Sequence, residues 1–321
     1  MGFNWGIIGT GNIAGKFAEA LNDEHGGIHS VCSRTMEKAE SFAGDFNAGH
    51  PFDSLEKFLE DEALDVVYIA TPHTNHYDIA RQCLESGKHV FCEKAITVNK
   101  QQLDDLTALA SDRDLVLLEA VTLYYHPLHR ELQQKITAGV IGNVHSINIT
   151  FGTVKEYDTT NRFFNPDLAG GAMLDIGVYA LSFARFYLQE QPQQVTTIGE
   201  MAESGVDDQS GIILKNSRGQ IATVQLSFSS RLPKRGIIGG DKGSITVDNF
   251  PRADEAVIEY TNGETERIAE GETSKALHYE IREMERFISN REHAPLLQLS
   301  SDVMALMDES RRQWNFRYPF E

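Results

Sequence analysis

The chain has 321 residues, 41% hydrophobic and 24% charged, a globular composition with room for about two domains and unlike that of an extended disordered protein. A formal charge of −18 sets aside nucleic acid and anionic membrane as main partners, so any phosphate must be met by a local group of basic residues. Cys32, Cys83 and Cys92 are odd in number, widely spaced and set in apolar or helical sequence, which points to reduced, buried thiols in a cytoplasmic protein rather than to a disulfide framework.

In chain order, a first strand is expected over residues 3–8, which leaves no room for a signal peptide, and no apolar run reads as long enough to span a membrane. The strand runs into Gly9-Thr10-Gly11-Asn12-Ile13-Ala14 and then a helix, the strand–turn–helix setting of a dinucleotide fingerprint. Gly9 allows the tight turn, Gly11 lets a pyrophosphate approach the backbone, and Ala14 keeps helix and strand close. A second strand, 28–32, ends in Ser33-Arg34-Thr35, with Arg34 twenty residues beyond Ala14. An acid at that place takes the ribose hydroxyls of NAD, whereas an arginine accommodates a 2′-phosphate; Lys38, one helical turn on, adds to the same positive spot. The cofactor is therefore expected to be NADP rather than NAD.

A buried strand over 64–70 leads to Thr71-Pro72-His73-Thr74-Asn75-His76 and a helix over 77–86. His73 and His76 lack a third metal ligand, so no metal is expected; the loop should line the cofactor, with Asn75 or Thr74 capping the helix. The strand 88–94 ends in Glu93-Lys94, where a parallel strand delivers side chains to the carboxyl edge of its sheet. A helix over 99–111 and a strand over 114–118 complete a β-α-β series. Beyond it come a helix over 127–138, alternating strands such as 144–151, 220–228, 243–247 and 257–260, and amphipathic helices over 275–291 and 300–313. The fold class is α/β: a Rossmann doubly wound parallel sheet in a dinucleotide-binding domain, 1–121, and an α+β substrate and dimerisation domain, 122–321, with a large, open-faced, mostly antiparallel sheet. The last helix is expected to pack back on the first domain.

Residues 172–188 are almost wholly apolar and read as one buried helix, with Asp175, Tyr179 and Ser182 on a single face. A buried carboxylate needs a partner, and a cation such as Lys94 would serve.

Together these motifs resemble the Gfo/Idh/MocA oxidoreductases, most nearly the branch of dimeric dihydrodiol dehydrogenase and NADP-dependent aldose dehydrogenases. The resemblance runs through Gly9 to Ala14, Ser33-Arg34, Ala70-Thr71-Pro72 with Asn75-His76, Gly87-Lys88-His89-Val90, Glu93-Lys94 and Gly170-Gly171 to Tyr179. It implies that Lys94 contacts nicotinamide and substrate, that Tyr179 stands where much of the family has His, and that the open sheet makes a homodimer. Cofactor contacts are expected at Gly9, Thr10, Gly11, Asn12, Ile13, Ser33, Arg34, Lys38, Thr71, Pro72, His73, Asn75, His76, Glu93 and Lys94. Lys94, Tyr179 and Asp175 would be catalytic, and His126 and Arg162 would line the substrate pocket. Two departures stand out. Ala95 replaces the family's proline after Lys94, so the Lys94–Ala95 bond is either trans with Lys94 re-aimed or a non-proline cis bond. Glu119-Ala120-Val121-Thr122 lacks the Trp of dihydrodiol dehydrogenases, which favours a sugar over an aromatic diol. The expected activity is hydride transfer between NADP(H) and a hydroxyl-bearing carbon of a sugar, polyol or trans-dihydrodiol. The alternatives are an NAD-linked inositol or amino-sugar dehydrogenase and an NADP(H)-sensing regulator without turnover.

Overall fold

Strands buried on both faces need near-continuous apolar sequence, and the first sheet is built from such runs. The computed structural model describes residues 2–291 and 295–321, which form two units: one up to Ala120 with Leu277–Gln298, the other Val121–Ala276 with Leu299–Glu321. In the first unit β1 (Trp5–Ile8), β2 (Ile28–Cys32), β3 (Ala48–Phe52), β4 (Val66–Ile69), β5 (His89–Glu93) and β6 (Leu117–Ala120) make one parallel sheet in the order β3-β2-β1-β4-β5-β6. The order reverses between β1 and β4, where a doubly wound sheet opens a crevice at its carboxyl edge. Helices α1 (Asn12–His25), α2 (Met36–Phe46), α3 (Leu55–Leu59), α4 (His76–Glu85) and α5 (Lys100–Asp112) connect the strands. Along α1 the buried Ala14, Phe17, Ala18 and Leu21 form the inward stripe. Phe17 stacks on Tyr68 with ring centroids 3.6 Å apart and packs against Trp5 and Phe91. The edge strand β3 has no counterpart among the expected strands, because Ala48-Gly49-His50-Pro51-Phe52 is half-exposed and carries a proline. The last strand falls at 117–120 instead of 114–118, since Asp114 takes a left-handed φ of 54° and Leu115 N–H donates back to Ala110 O, using those residues to close α5.

The second unit opens with α6 (Pro127–Thr137) and β7 (Val144–Gly152), then a π-helical turn, Met173–Gly177, that runs into α7 (Val178–Tyr187). There follow β8 (Gln194–Met201), β9 (Asp207–Lys215), β10 (Ile221–Ser227), β11 (Arg235–Gly240), β12 (Gly243–Asp248), β13 (Glu255–Tyr260) and β14 (Thr265–Ala269). With β7 they form a sheet in the order β14-β13-β12-β11-β7-β10-β9-β8, antiparallel except for the β7–β10 pair. The aligned buried residues Ile149, Val224, Ile212 and Gly236 face α7, whose Phe183 ring would lie 2.3 Å from a Cβ on Gly236. The other face is open. One row across it reads Thr196, Ile213, Thr223, Asn148, Ile237, Thr246, Val257 and Arg267, so it mixes small polar and apolar side chains instead of being wholly apolar. Ile198, 81% exposed, is its most prominent apolar residue.

Two expectations are corrected here. Pro166–Tyr187, which takes in the π turn and α7, is long and apolar enough by composition to cross a membrane, but 83% of its apolar window is buried inside the protein. And the helix that returns to the first unit is α8 (Ala276–Asn290), not the last one. On α8, Glu285 accepts from the Trp5 indole at 2.9 Å and Arg282 forks onto Glu24 at 2.6 and 2.9 Å. The last helix, α9 (Pro295–Gln313), belongs to the second unit from Leu299 on, where Asp302 holds Arg185 at 2.7 Å and Gln313 donates to Val195 O.

Candidate functional site

Gly9 has φ of 102°, and a Cβ there would stand 2.5 Å from Ala70 O, so only glycine makes this turn. Gly11 is the N-cap of α1 with no side-chain cap, nothing lies within 4 Å of where its Cβ would be, and no acid occupies the first turn. Uncapped N–H groups at an open helix start suit an anion. Thr10 Oγ1 and Ser33 Oγ, 3.3 Å apart, tie this turn to the end of β2. Beside it lies a cavity of about 560 Å³ between α1 and α2, lined by Thr10, Gly11, Asn12 and Lys38 among others. Arg34 lies outside that lining; both it and Lys38 are exposed, and neither side chain has a carboxylate partner among the described residues. Thr71 Oγ1, next to Gly9, is buried with no hydrogen-bond partner. These features fit a bound dinucleotide: a phosphate cradle, a spare hydroxyl and two spare cations.

At the carboxyl end of β5, Lys94 is half-buried and the backbone around it is held at four points. Its N–H donates to Glu93 Oε2 at 3.2 Å, and Glu93 Oε1 accepts from the Tyr68 hydroxyl at 2.5 Å. His73 Nε2 meets Lys94 O at 3.2 Å, His76 Nδ1 meets Ala95 O at 2.8 Å, and Ile96 N–H donates to Glu119 Oε1 at 2.9 Å. The Lys94–Ala95 peptide is cis, which decides between the two alternatives left by the sequence. His76 also meets Thr71 O at 2.8 Å through Nε2 and is fully buried, and burial, aided by the charge of Lys94, lowers its pKa. It therefore holds the backbone beside Lys94. Nor does Asn75 or Thr74 cap α4: the chain enters through a 3₁₀ turn, His73–Asn75, that leaves Asn75 helical and uncapped, with Thr74 donating to Asn75 Oδ1.

In the second unit Asp175 is nearly buried, and Arg162 places both terminal nitrogens 3.2 Å from its Oδ1. Arg162 is thus a partner of Asp175. The guanidinium also covers the Phe163 ring at 4.3 Å. Tyr179, half-buried at the start of α7, has the Phe151 ring 6.5 Å away. Ser182 points inward and accepts from the Tyr124 hydroxyl at 2.9 Å, a structural contact. The helix carrying Asp175 is α-helical only from Val178, and its π turn is anchored by Asp207, whose Oδ2 accepts from Met173 N–H at 2.7 Å. Asp207 is fully buried; burial pushes its carboxyl up to about 7, while its Oδ1 has no partner. His126 is the N-cap of α6. It is fully buried, its Nδ1 accepts from Leu128 N–H as the cap of α6, and burial lowers its pKa. Cys32, Cys83 and Cys92 are free and buried, and burial raises every one of the thiols, Cys32 to about 11. No group of three or more His, Cys, Asp or Glu among the described residues is placed to hold a metal ion. As contacts of these residues, Glu119, Asp207 and Phe151 escaped the sequence reading, because each enters through a strand remote in sequence from its partner.

Residues 3–120 match the oxidoreductase family with NAD-binding Rossmann fold, and residues 129–246 match the GFO/IDH/MocA C-terminal domain. The chain is 31% identical over 334 residues to the trans-1,2-dihydrobenzene-1,2-diol dehydrogenase of Xenopus laevis, with 99% of this chain and 100% of that protein covered. The chain belongs to the Gfo/Idh/MocA oxidoreductases. Another relative in the family, the D-xylose 1-dehydrogenase (NADP(+)) of Hypocrea jecorina, is 33% identical, covering 98% of this chain and 93% of its own. Among solved structures, levoglucosan dehydrogenase in complex with NADH and levoglucosan superposes with a TM-score of 0.89 over 99% of this chain and 100% of its own, at 18% identity, a likeness of fold. The Gfo/Idh/MocA fold accounts for the parallel sheet and the open sheet alike.

Proposed function

We propose that the protein is an NADP(H)-dependent dehydrogenase acting on a hydroxyl-bearing carbon of a sugar, polyol or trans-dihydrodiol. The observation that carries this reading is the four-point hold on the backbone from Lys94 to Ile96, on the same sheet edge as the open Gly9–Gly11 turn. A residue whose backbone is fixed that fully is placed for geometry, not for solubility. One relative at similar identity is a trans-dihydrodiol dehydrogenase and another a D-xylose 1-dehydrogenase (NADP(+)), which supports the same substrate range.

In this reading the turn from Gly9 to Ile13, with Ser33, Arg34, Lys38 and the loop of Thr71, Pro72, His73 and Asn75, holds the dinucleotide, and Glu93 and Lys94 border its nicotinamide. A nicotinamide held there would supply the hydride acceptor or donor. Tyr179 accepts the hydroxyl proton on oxidation. A tyrosine titrates near 10, too high for that task at neutral pH without a cation to favour the phenolate, and Lys94 is the second catalytic residue. Asp175, steadied by Arg162, orients a substrate hydroxyl. The second domain forms a homodimer through its open face, on which Ile198, Ile213 and Val257 are exposed, and the enzyme works in the cytoplasm.

The test is turnover of aldoses, polyols and dihydrodiols by the purified protein with NADP⁺ and with NAD⁺. Tyr179→Phe is expected to lower turnover about 10²–10⁴-fold while NADP binding persists. Arg34→Ala is expected to weaken NADP binding about tenfold to a hundredfold and leave NAD little changed. No turnover of any substrate with intact NADP binding would replace this reading by that of a nucleotide-sensing regulator, and light scattering that gives a monomer would remove the dimer.

A further inference from the structure

Asp207 opens β9 with no exposure to solvent, and its carboxyl takes no part in the chemistry above. Burying a carboxyl is costly, and what this one holds is the start of the helix that carries Asp175 and Tyr179. Ala172, which precedes the π turn, has no side chain to cap it, so Met173 N–H must find its partner elsewhere. Asp207 Oδ2 accepts from it at 2.7 Å, from a strand 34 residues on. Asp207 Oδ1 stands over Gly171, where a Cβ would lie 2.2 Å from it; the φ of 117° there also calls for glycine.

Tyr318 grips the neighbouring residue, its buried hydroxyl donating to Gly170 O at 2.7 Å. The same two glycines fasten the loop of Arg162: Gly170 N–H donates to Asn165 O at 3.0 Å and Gly171 N–H to Phe163 O at 2.9 Å. Asp175 and its partner Arg162 thus leave a single junction, held by Asp207 and Tyr318. Beyond the junction Val178 N–H bonds Met173 O, five residues back instead of four. On an unbroken α-helix Asp175 and Tyr179 would share a face by their spacing of four, whereas here the π turn sets their relative bearing. The turn lies flush on the sheet, since a Cβ on Gly177 would fall 2.8 Å from Leu226 and 2.9 Å from Met173 Sδ. Single π turns of this kind recur at functional sites.

We propose that Asp207 is a positioning residue: by capping the π turn from β9 it fixes the bearing of the Asp175 carboxylate on the substrate hydroxyl, with Tyr318 as a second hold on the same turn. Neither residue touches the substrate; both act through Asp175. This role rests on the dehydrogenase reading above.

The experiment measures kcat/KM with NADP⁺ for D-xylose, D-glucose, myo-inositol and trans-1,2-dihydrobenzene-1,2-diol, alongside calorimetric titration of NADP⁺. Asp207→Leu takes the acceptor from Met173 N–H and should lower kcat/KM for the best of these substrates about tenfold or more, with NADP⁺ affinity changed less than about threefold. Asp207→Asn keeps an oxygen acceptor there and should stay within about threefold of wild type. The decisive readout is coupling. Asp175→Ala alone should cost about tenfold to a hundredfold, and adding Asp207→Leu to it should cost less than about threefold more, whereas a purely structural loss would multiply in full. Tyr318→Phe removes one hydroxyl and keeps the ring, so it reads the same coupling where Asp207→Leu does not fold: a fall of about threefold to tenfold that disappears in the Asp175→Ala background. Undiminished losses in the Asp175→Ala background, wild-type kcat/KM in both Asp207→Leu and Tyr318→Phe, or an Asp207→Asn as impaired as Asp207→Leu would overturn the positioning role. No turnover of any of the four substrates by the wild type would overturn the dehydrogenase reading, and the role with it.

Discussion

His76 in the first unit and His129 in the second are both fully buried, and each has a partner at both ring nitrogens. The partners differ. His129 meets the Tyr187 hydroxyl through Nδ1 and Phe250 O through Nε2, each at 2.7 Å; a hydroxyl can donate, so a neutral ring protonated on Nε2 satisfies both. His76 meets two carbonyl oxygens, which only accept, so a neutral ring donates to one and turns a lone pair toward the other. Burial lowers the pKa of both, that of His129 to about 4. Degree of burial is thus the same in a histidine that closes a core and in one that holds the backbone beside Lys94, and only the partners tell them apart.

That contrast can be broken by substitution. His76→Leu releases Ala95 O and Thr71 O together, and a shift of about 1 Å at Lys94 is expected to lower turnover around a hundredfold, measured with NADP⁺ at saturating substrate. His129→Leu should instead cost about 2 kcal/mol of stability in a denaturant titration, from the unpaired Phe250 carbonyl and Tyr187 hydroxyl, with turnover per folded molecule changed less than about threefold. Equal effects of the two on turnover would erase the distinction.

Acid sharpens it. The folded pKa of His129 is about 4 against an ordinary 6.5, so its contribution is complete above pH 6.5 and is lost as pH falls toward 4, at up to about 1.4 kcal/mol per pH unit. The stability gap between wild type and His129→Leu should therefore close over that range. Asp207 runs the other way. Its folded pKa is about 7 against 3.8, so its contribution is complete below pH 3.8 and is lost as pH rises through 7. Asp207→Asn should gain on wild type over that interval, whereas a gap that does not move with pH would place a solvated carboxylate at Asp207.

The sequence made the first sheet legible where a strand is an apolar run followed by a turn signal, as in β1, β2, β4 and β5. It hid β3, whose place is set by pairing with β2 through contacts such as Ser33 N–H to Phe52 O. In the second sheet alternation marked β7, β10, β12 and β13, but the parallel β7–β10 pairing is a long-range choice that no local pattern carries. Around the candidate site, Lys94, Asp175 and Tyr179 stood out as polar residues in apolar surroundings. The hold on Lys94 did not, because His73, His76 and Glu119 reach it from separate elements. The inward turn of His126 was hidden for a related reason: it is set by the 3₁₀ turn Thr122–Tyr124 before it and by Pro127 at the first position of α6, which make it a cap.

Because α8 follows the whole second sheet in the chain, the first unit is written in two instalments. Trp5 and Glu24 emerge from the ribosome 280 and 258 residues ahead of the Glu285 and Arg282 that complete them. At about 5–20 residues per second that interval is on the order of tens of seconds, long beside the folding time of a small domain. The nascent dinucleotide half thus waits with the seam for α8 open, a natural client for a holding chaperone, and a transcript ended before codon 277 yields a polypeptide that lacks a wall of its own first unit.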